Sequence, residues 1–188
     1  MNEDEAGRLV LAESAPDRRL RIFTALLTSE SGLGTDGLMV VGGSAIEIYT
    51  GGSYVSGDVD YVTDSRNAVA QVLRSWSFKN EGKWFSKKEW GLFVDVMETP
   101  GTGSRRLTRI INTKAGPFRI AAIEDLLIKR VREAVNWQGR KEAFDQAVLL
   151  ARHADKVDWK YVEFYAKREG WLPQLAELRR VAGSRTWR

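Results

Sequence analysis

The chain has 188 residues, 43% of them hydrophobic and 10% aromatic, and a net charge of +4. That composition excludes a disordered chain and allows one substantial core, or a core domain with a small helical appendage. The absence of cysteine excludes a disulfide framework, a zinc–thiolate site and a cysteine nucleophile. The mild basic excess is compatible with nucleotide or nucleic-acid partners but does not establish them. The start, Met1 to Glu5, is polar and acidic rather than signal-like. No apolar run approaches the ~20 residues needed to span a bilayer. The expectation is a cytoplasmic protein with no membrane partner.

Residues 3–14 read as a short frayed helix. Pro16 suits a first helical position, and Leu20, Ile22, Phe23, Leu26 and Leu27 continue an apolar helix face to about Ser29. Residues 31–37 read as a loop, Leu38 to Val41 as a buried strand, and Gly43 to Tyr49 as a short helix ending at Gly51-Gly52. After a turn-rich stretch, Val59 to Thr63 reads as a strand, and Asp64 or Ser65 caps the helix carrying Ala68, Val69, Val72, Leu73 and Trp76. Asn80 to Lys83 forms a hairpin-like turn. Leu92, Val94 and Val96 alternate with Phe93, Asp95 and Met97, which puts Asp95 on the face opposite the aliphatics. Residues 100–104 are a break, and 107–113 and 117–121 are strands around Ala115-Gly116. Helices are expected over 123–137, 141–152, 158–168 and 173–182.

Two spacings carry chemistry. Val41-Gly42-Gly43-Ser44 is a small-residue turn at a helix start, where free backbone N–H groups and the helix dipole favour a phosphate. Fourteen residues after Ser44 come Asp58-Val59-Asp60, two carboxylates two apart in an apolar run. On a strand they project to one face, and adjacent carboxylates call for a divalent cation between them. Asp95, alone in a later apolar strand, is the natural third acid. Nucleotidyl transfer needs an attacking oxygen and a pyrophosphate leaving group held in line, which metal-bound carboxylates provide. Asp58 and Asp60 are therefore expected to hold Mg²⁺ or Mn²⁺, with Asp95 completing a shell and helping to deprotonate the attacking hydroxyl.

The pair Val41-Gly42-Gly43-Ser44 and Ser56-Gly57-Asp58-Val59-Asp60, with Asp95, resembles the signature of the DNA-polymerase-β-type nucleotidyltransferase superfamily. The resemblance implies that Gly42, Gly43 and Ser44 bind the triphosphate and that Asp58, Asp60 and Asp95 are the catalytic, metal-binding acids. Further on, Ile123-Glu124-Asp125-Leu126-Leu127-Ile128-Lys129-Arg130 and Arg140-Lys141-Glu142-Ala143-Phe144-Asp145 are similar to segments of the abortive-infection type nucleotidyltransferases, some of them toxins. That likeness implies nucleotide-binding roles for Lys129 and Asp145, with Glu142 standing where the pattern more often has Asp.

The expected fold is α+β. A small mixed nucleotidyltransferase sheet with flanking helices occupies residues 1–121, and a C-terminal helical bundle occupies 122–188. The expected function is metal-dependent transfer of a nucleoside monophosphate from an NTP to a hydroxyl on RNA (tRNA-like) or protein, in a toxin answered by a cognate antitoxin. A non-catalytic nucleotide- or RNA-binding regulatory module on the same fold is the alternative. The basic cluster Lys83, Lys87, Lys88, Arg105, Arg106 and Arg109 surrounds the third-acid strand. Trp84 and Trp90 are candidates for stacking on a base. His153, the single histidine, reads as a helix-end residue rather than a catalyst.

Overall fold

The computed structural model describes residues 1–99, 108–136, 141–153 and 157–183. The expected features at 100–107, Gly139, Arg140 and 154–155 lie outside these. The chain divides into two compact units, Met1–Ala121 and Ala122–Arg188. The fold is α+β: a mixed seven-stranded sheet with flanking helices, followed by helical segments.

In the first unit the order is α1 (Glu3–Leu11), α2 (Pro16–Glu30), α3 (Gly34–Gly37), β1 (Leu38–Val41), α4 (Gly42–Tyr49), β2 (Val59–Thr63) and α5 (Arg66–Ser75). Then follow β3 (Lys79–Glu81), β4 (Trp84–Lys87), a 3₁₀ turn over Lys88–Trp90, β5 (Leu92–Glu98), β6 (Arg109–Thr113) and β7 (Gly116–Ile120). The strands lie in the order β3-β4-β5-β2-β1-β7-β6, with β2 parallel to β5, β1 parallel to β7 and the other neighbours antiparallel. Residues 34–37, expected as loop, form one helical turn. Arg119 Nε donates to Thr35 O at 2.6 Å, so a residue of a distant strand anchors that turn.

Alternation along each strand separates two faces. Val40, Tyr61, Phe85, Val94 and Phe118 are buried on one, where α2, α4 and α5 pack. There Phe23, Trp76, Phe78 and Trp90 form an aromatic cluster, with Phe78 and Trp90 edge-to-face at 5.5 Å between centroids. Lys87 belongs to this core face and not to an exposed basic cluster. Its ammonium ion-pairs with Glu3 and donates to Trp76 O at 2.6 Å, which offsets burial of the charge. The opposite face carries Asp60, Trp84, Phe93, Asp95 and Met97, half-buried or exposed.

The second unit comprises α6 (Ile123–Asn136), α7 (Lys141–Arg152), α8 (Trp159–Glu169) and α9 (Leu172–Gly183). Asp158 caps α8 by accepting from Lys160 N and Tyr161 N, while buried Glu124 accepts from Asp158 N at 2.8 Å. Gly170 at φ +79° closes α8 in the left-handed conformation that glycine favours. Among the described residues no helix is long and apolar enough to cross a membrane.

Candidate functional site

The site is built where β1 runs directly into α4. Val41 is extended at φ −133° and Gly42 turns the chain at φ +62°. A side chain at Gly42 would be strained in that conformation. Its Cβ would also overlap Asp60 Oδ2 and lie 2.8 Å from Asp60 Cγ. A Cβ at Gly43 would stand 2.6 Å from Ser56 Oγ and 3.4 Å from the Tyr54 hydroxyl oxygen. The two glycines thus let the start of α4 close on the segment that leads to Asp60.

Hydrogen bonds fix this approach. Gly43 N–H donates to Asp60 Oδ2 at 3.3 Å. Ser44 Oγ donates to Val41 O at 3.0 Å and accepts from Asp60 N–H at 3.1 Å. The Ser44 side chain is fully buried, so its hydroxyl ties β2 to the start of α4. The Ser44 hydroxyl is thus committed, and of the backbone N–H groups that open α4 that of Gly43 is already given to Asp60.

The acids are arranged by register. Asp60 on β2 lies directly beside Asp95 on β5, and Asp95 in turn faces Trp84 on β4. Val41, Asp60, Asp95 and Trp84 therefore form one row across four strands on the open face. Asp58 does not lie on the strand with Asp60. The strand begins at Val59, and Asp58 is exposed one residue before it. Asp58 and Phe93 line one cleft of about 100 Å³ together with Arg19, Glu47 and Ser56. Asp95 is ion-paired with Lys83 at 3.7 Å, and the same ammonium lies 4.4 Å from the centroid of the Trp84 ring.

One contributor escaped sequence reasoning. Glu47 is buried on α4 and accepts Ser56 N–H at 2.7 Å, holding the segment that carries Asp58. Burial pushes its carboxyl above the ordinary range, against the pull of the Ser56 N–H, and Asp17 adds to the rise. The signal was a lone Glu in the apolar helix Gly42–Tyr49. Ser56, which the sequence places in the motif ending at Asp60, lies against Gly43, and Lys83, which it places in the basic cluster, ion-pairs with Asp95.

Among the described residues no group of three or more Asp, Glu, His or Cys side chains is placed to hold a metal. Asp60 and Asp95 remain as an adjacent pair. That donor set fits magnesium, which is commonly held by one or two carboxylates and completed by substrate phosphates and water. In the second unit, Lys129 is exposed on α6 and Asp145 half-buried on α7, two helices that pack on each other.

No protein-family model matches the chain, and no curated protein sequence does. Among solved structures, the fold is similar to that of an antigenic nucleotidyltransferase-like protein from Paracoccidioides brasiliensis, with a TM-score of 0.55. The two chains are 14% identical, and the match covers 86% of this chain and 92% of that one. The architecture is thus nucleotidyltransferase-like.

Proposed function

We propose that the first unit is a metal-dependent nucleotidyltransferase that moves a nucleoside monophosphate from an NTP to a hydroxyl acceptor. The observation that carries this reading is the Asp60–Asp95 pair set beside the Gly42–Gly43 turn, with Gly43 N–H on the Asp60 carboxylate. Backbone N–H groups at the start of α4 bind the triphosphate with the help of the helix dipole. Asp60, oriented by Gly43, and Asp95 hold Mg²⁺ or Mn²⁺, with Asp58 reaching in from the turn before β2. The cation, when bound, supplies charge neutralisation at the phosphates and lowers the cost of the attacking alkoxide. Asp95 accepts the proton of the acceptor hydroxyl as its oxygen attacks the α-phosphorus and pyrophosphate departs. Lys83 leaves Asp95 for this to occur.

The likeness of the second unit to abortive-infection type enzymes extends the proposal. Lys129 and Asp145 contribute to nucleotide binding, the acceptor is RNA or protein, and the activity is that of a toxin with a cognate antitoxin. The test incubates the purified protein with each labelled NTP, Mg²⁺, total RNA and candidate proteins. Asp58→Asn and Asp60→Asn keep the side-chain shape and remove the charge, so both are expected to abolish transfer with the melting curve unchanged. Activity within a few-fold of wild type in both variants would refute the metal assignment.

One observation favours a second reading. Lys83 already neutralises Asp95, and no third acid joins the pair among the described residues. A non-catalytic nucleotide- or RNA-binding module on this scaffold would be consistent with both. Asp58→Ala separates the readings: a binder keeps its cellular effect, and a catalyst loses it.

A further inference from the structure

On the open face, the row that begins at the phosphate-binding turn does not end at the acids. Trp84 is the register neighbour of Asp95 on the side away from Gly42 and is 44% exposed. Phe93, also 44% exposed, is two residues before Asp95 on the same face and shares a cleft with Asp58. Trp84 and Phe93 are diagonal neighbours on antiparallel strands, about 7–8 Å apart, so each ring can present a separate stacking surface. Exposed aromatic rings on a sheet are well suited to stacking on unpaired bases.

The support beneath them is fixed. Arg66 donates to Gly82 O and Lys83 O at 3.2 and 3.3 Å, which clamps the β3–β4 turn. The Arg66 guanidinium also lies 5.4 Å from the Phe85 ring centroid on the core side of β4. Lys83, exposed and stacked on Trp84, brings a cation to this surface and lies close to both the indole and Asp95.

We propose that Trp84, Phe93 and Lys83 form an acceptor subsite for the unpaired end of a single-stranded nucleic acid. The terminal bases stack on the two rings and a backbone phosphate takes the Lys83 ammonium. The side of the row fixes the role. The donor triphosphate is assigned to α4, beyond β1, whereas Trp84 and Phe93 lie past Asp95, where the attacking hydroxyl must enter. A serine, threonine or tyrosine acceptor on a protein brings no base for these rings and no phosphate for Lys83. This inference rests on the nucleotidyl-transfer reading for the direction of approach only; the binding it predicts needs neither NTP nor metal.

The test measures anisotropy of a short 5′-fluorescein RNA with a free 3′ end, without NTP or Mg²⁺. A DNA of the same sequence, the matching RNA duplex and a Ser/Thr/Tyr peptide serve as competitors. Single strands of either kind are expected to compete, and the duplex and peptide to fail. Trp84→Ala and Phe93→Ala should each weaken binding by about fivefold or more, as loss of one base–aromatic stack does. Trp84→Phe should restore most of it. Ile110→Ala, an equally exposed apolar residue on β6, should change nothing. Lys83→Gln should lower the salt slope of binding by about 0.7, one phosphate contact to a single strand.

Oligonucleotide affinity that is unchanged in Trp84→Ala and Phe93→Ala would overturn the proposal. So would competition by the peptide, or a Trp84→Ala variant that loses NTP affinity and keeps that for RNA. Trp84-dependent RNA binding in a protein that transfers no nucleotide would uphold the subsite and count against catalysis. Asp60-dependent transfer with Trp84-independent RNA binding would do the reverse.

Discussion

Replacing Gly42 by alanine probes the contact on which the site depends. At φ +62° a non-glycine residue costs about 1–2 kcal/mol of backbone strain. The new Cβ also overlaps the Asp60 carboxylate, with Cγ at 2.8 Å and Cβ at 3.2 Å, so rotating the end of the side chain only partly relieves it. Moving Asp60 aside breaks the 3.3 Å bond from Gly43 N–H, which at that length is worth about 1 kcal/mol. The total is about 2–4 kcal/mol. In an Asp60→Ala background the overlap with the carboxylate is gone and the Gly43 bond is already lost, so Gly42→Ala should then cost the strain and the residual 3.2 Å contact with the Cβ that alanine keeps. The double-mutant cycle, measured from urea midpoints at constant m, should give a coupling of about 1–2 kcal/mol between the two positions. The single Gly42→Ala variant should also lose the thermal stabilisation that NTP with Mg²⁺ confers on wild type. Equal costs of Gly42→Ala in the two backgrounds would show that the close approach of turn and carboxylate contributes nothing.

Two other perturbations test separate parts of the architecture. The raised Glu47 carboxyl means that the folded state holds its proton more tightly than the unfolded chain. Its contribution is therefore full below the unfolded value, near pH 4.3, and is lost as pH rises through the higher folded value. Glu47→Gln keeps an acceptor for Ser56 N–H, so it should flatten the stability profile just above pH 4.3 and leave neutral-pH stability equal or greater; an unchanged pH slope in urea titrations would contradict this. In the second unit, Lys129→Glu should weaken NTP binding more than Lys129→Ala, whereas reversal of Lys167, exposed on α8, should act only through screened long-range terms. Indistinguishable effects at the two lysines, measured by equilibrium dialysis, would make α6 scaffold.

The parts of the fold legible in the sequence are those whose cause is local. Leu38–Val41 and Val59–Thr63 are short apolar runs bounded by turn residues, and both strands occupy those positions. Asp95 could be assigned to the face opposite Leu92, Val94 and Val96 because strand alternation alone dictates it. The parts that were not legible depend on distant partners. Residues 34–37 form a helical turn anchored by Arg119. Lys87 reads as one lysine of a basic cluster, yet Glu3 and the carbonyl of Trp76 draw it into the core. Ser44 reads as a phosphate ligand, but the strand sixteen residues later takes its hydroxyl. The register that sets Asp60 beside Asp95 comes from a parallel pairing through α5, β3 and β4, and no local pattern encodes it.

The order of strands orders the chemistry along the row. β1 delivers the turn that opens α4, β2 and β5 deliver one carboxylate each, and β4 delivers the indole, so glycine turn, acids and aromatic ring follow one another across the sheet. At the β4 end, β3, β4 and β5 follow one another through a two-residue turn and one 3₁₀ turn, as β6 and β7 do through a two-residue turn at the other end. Both ends of the row are held: the glycines of the β1–α4 junction lie close against Asp60 and Ser56, and Arg66 ties down the β3–β4 turn that carries Lys83. This separation is what the proposed reading requires: a triphosphate at the β1–α4 end of the row and an acceptor at the β4 end, with the carboxylates of Asp60 and Asp95 between them.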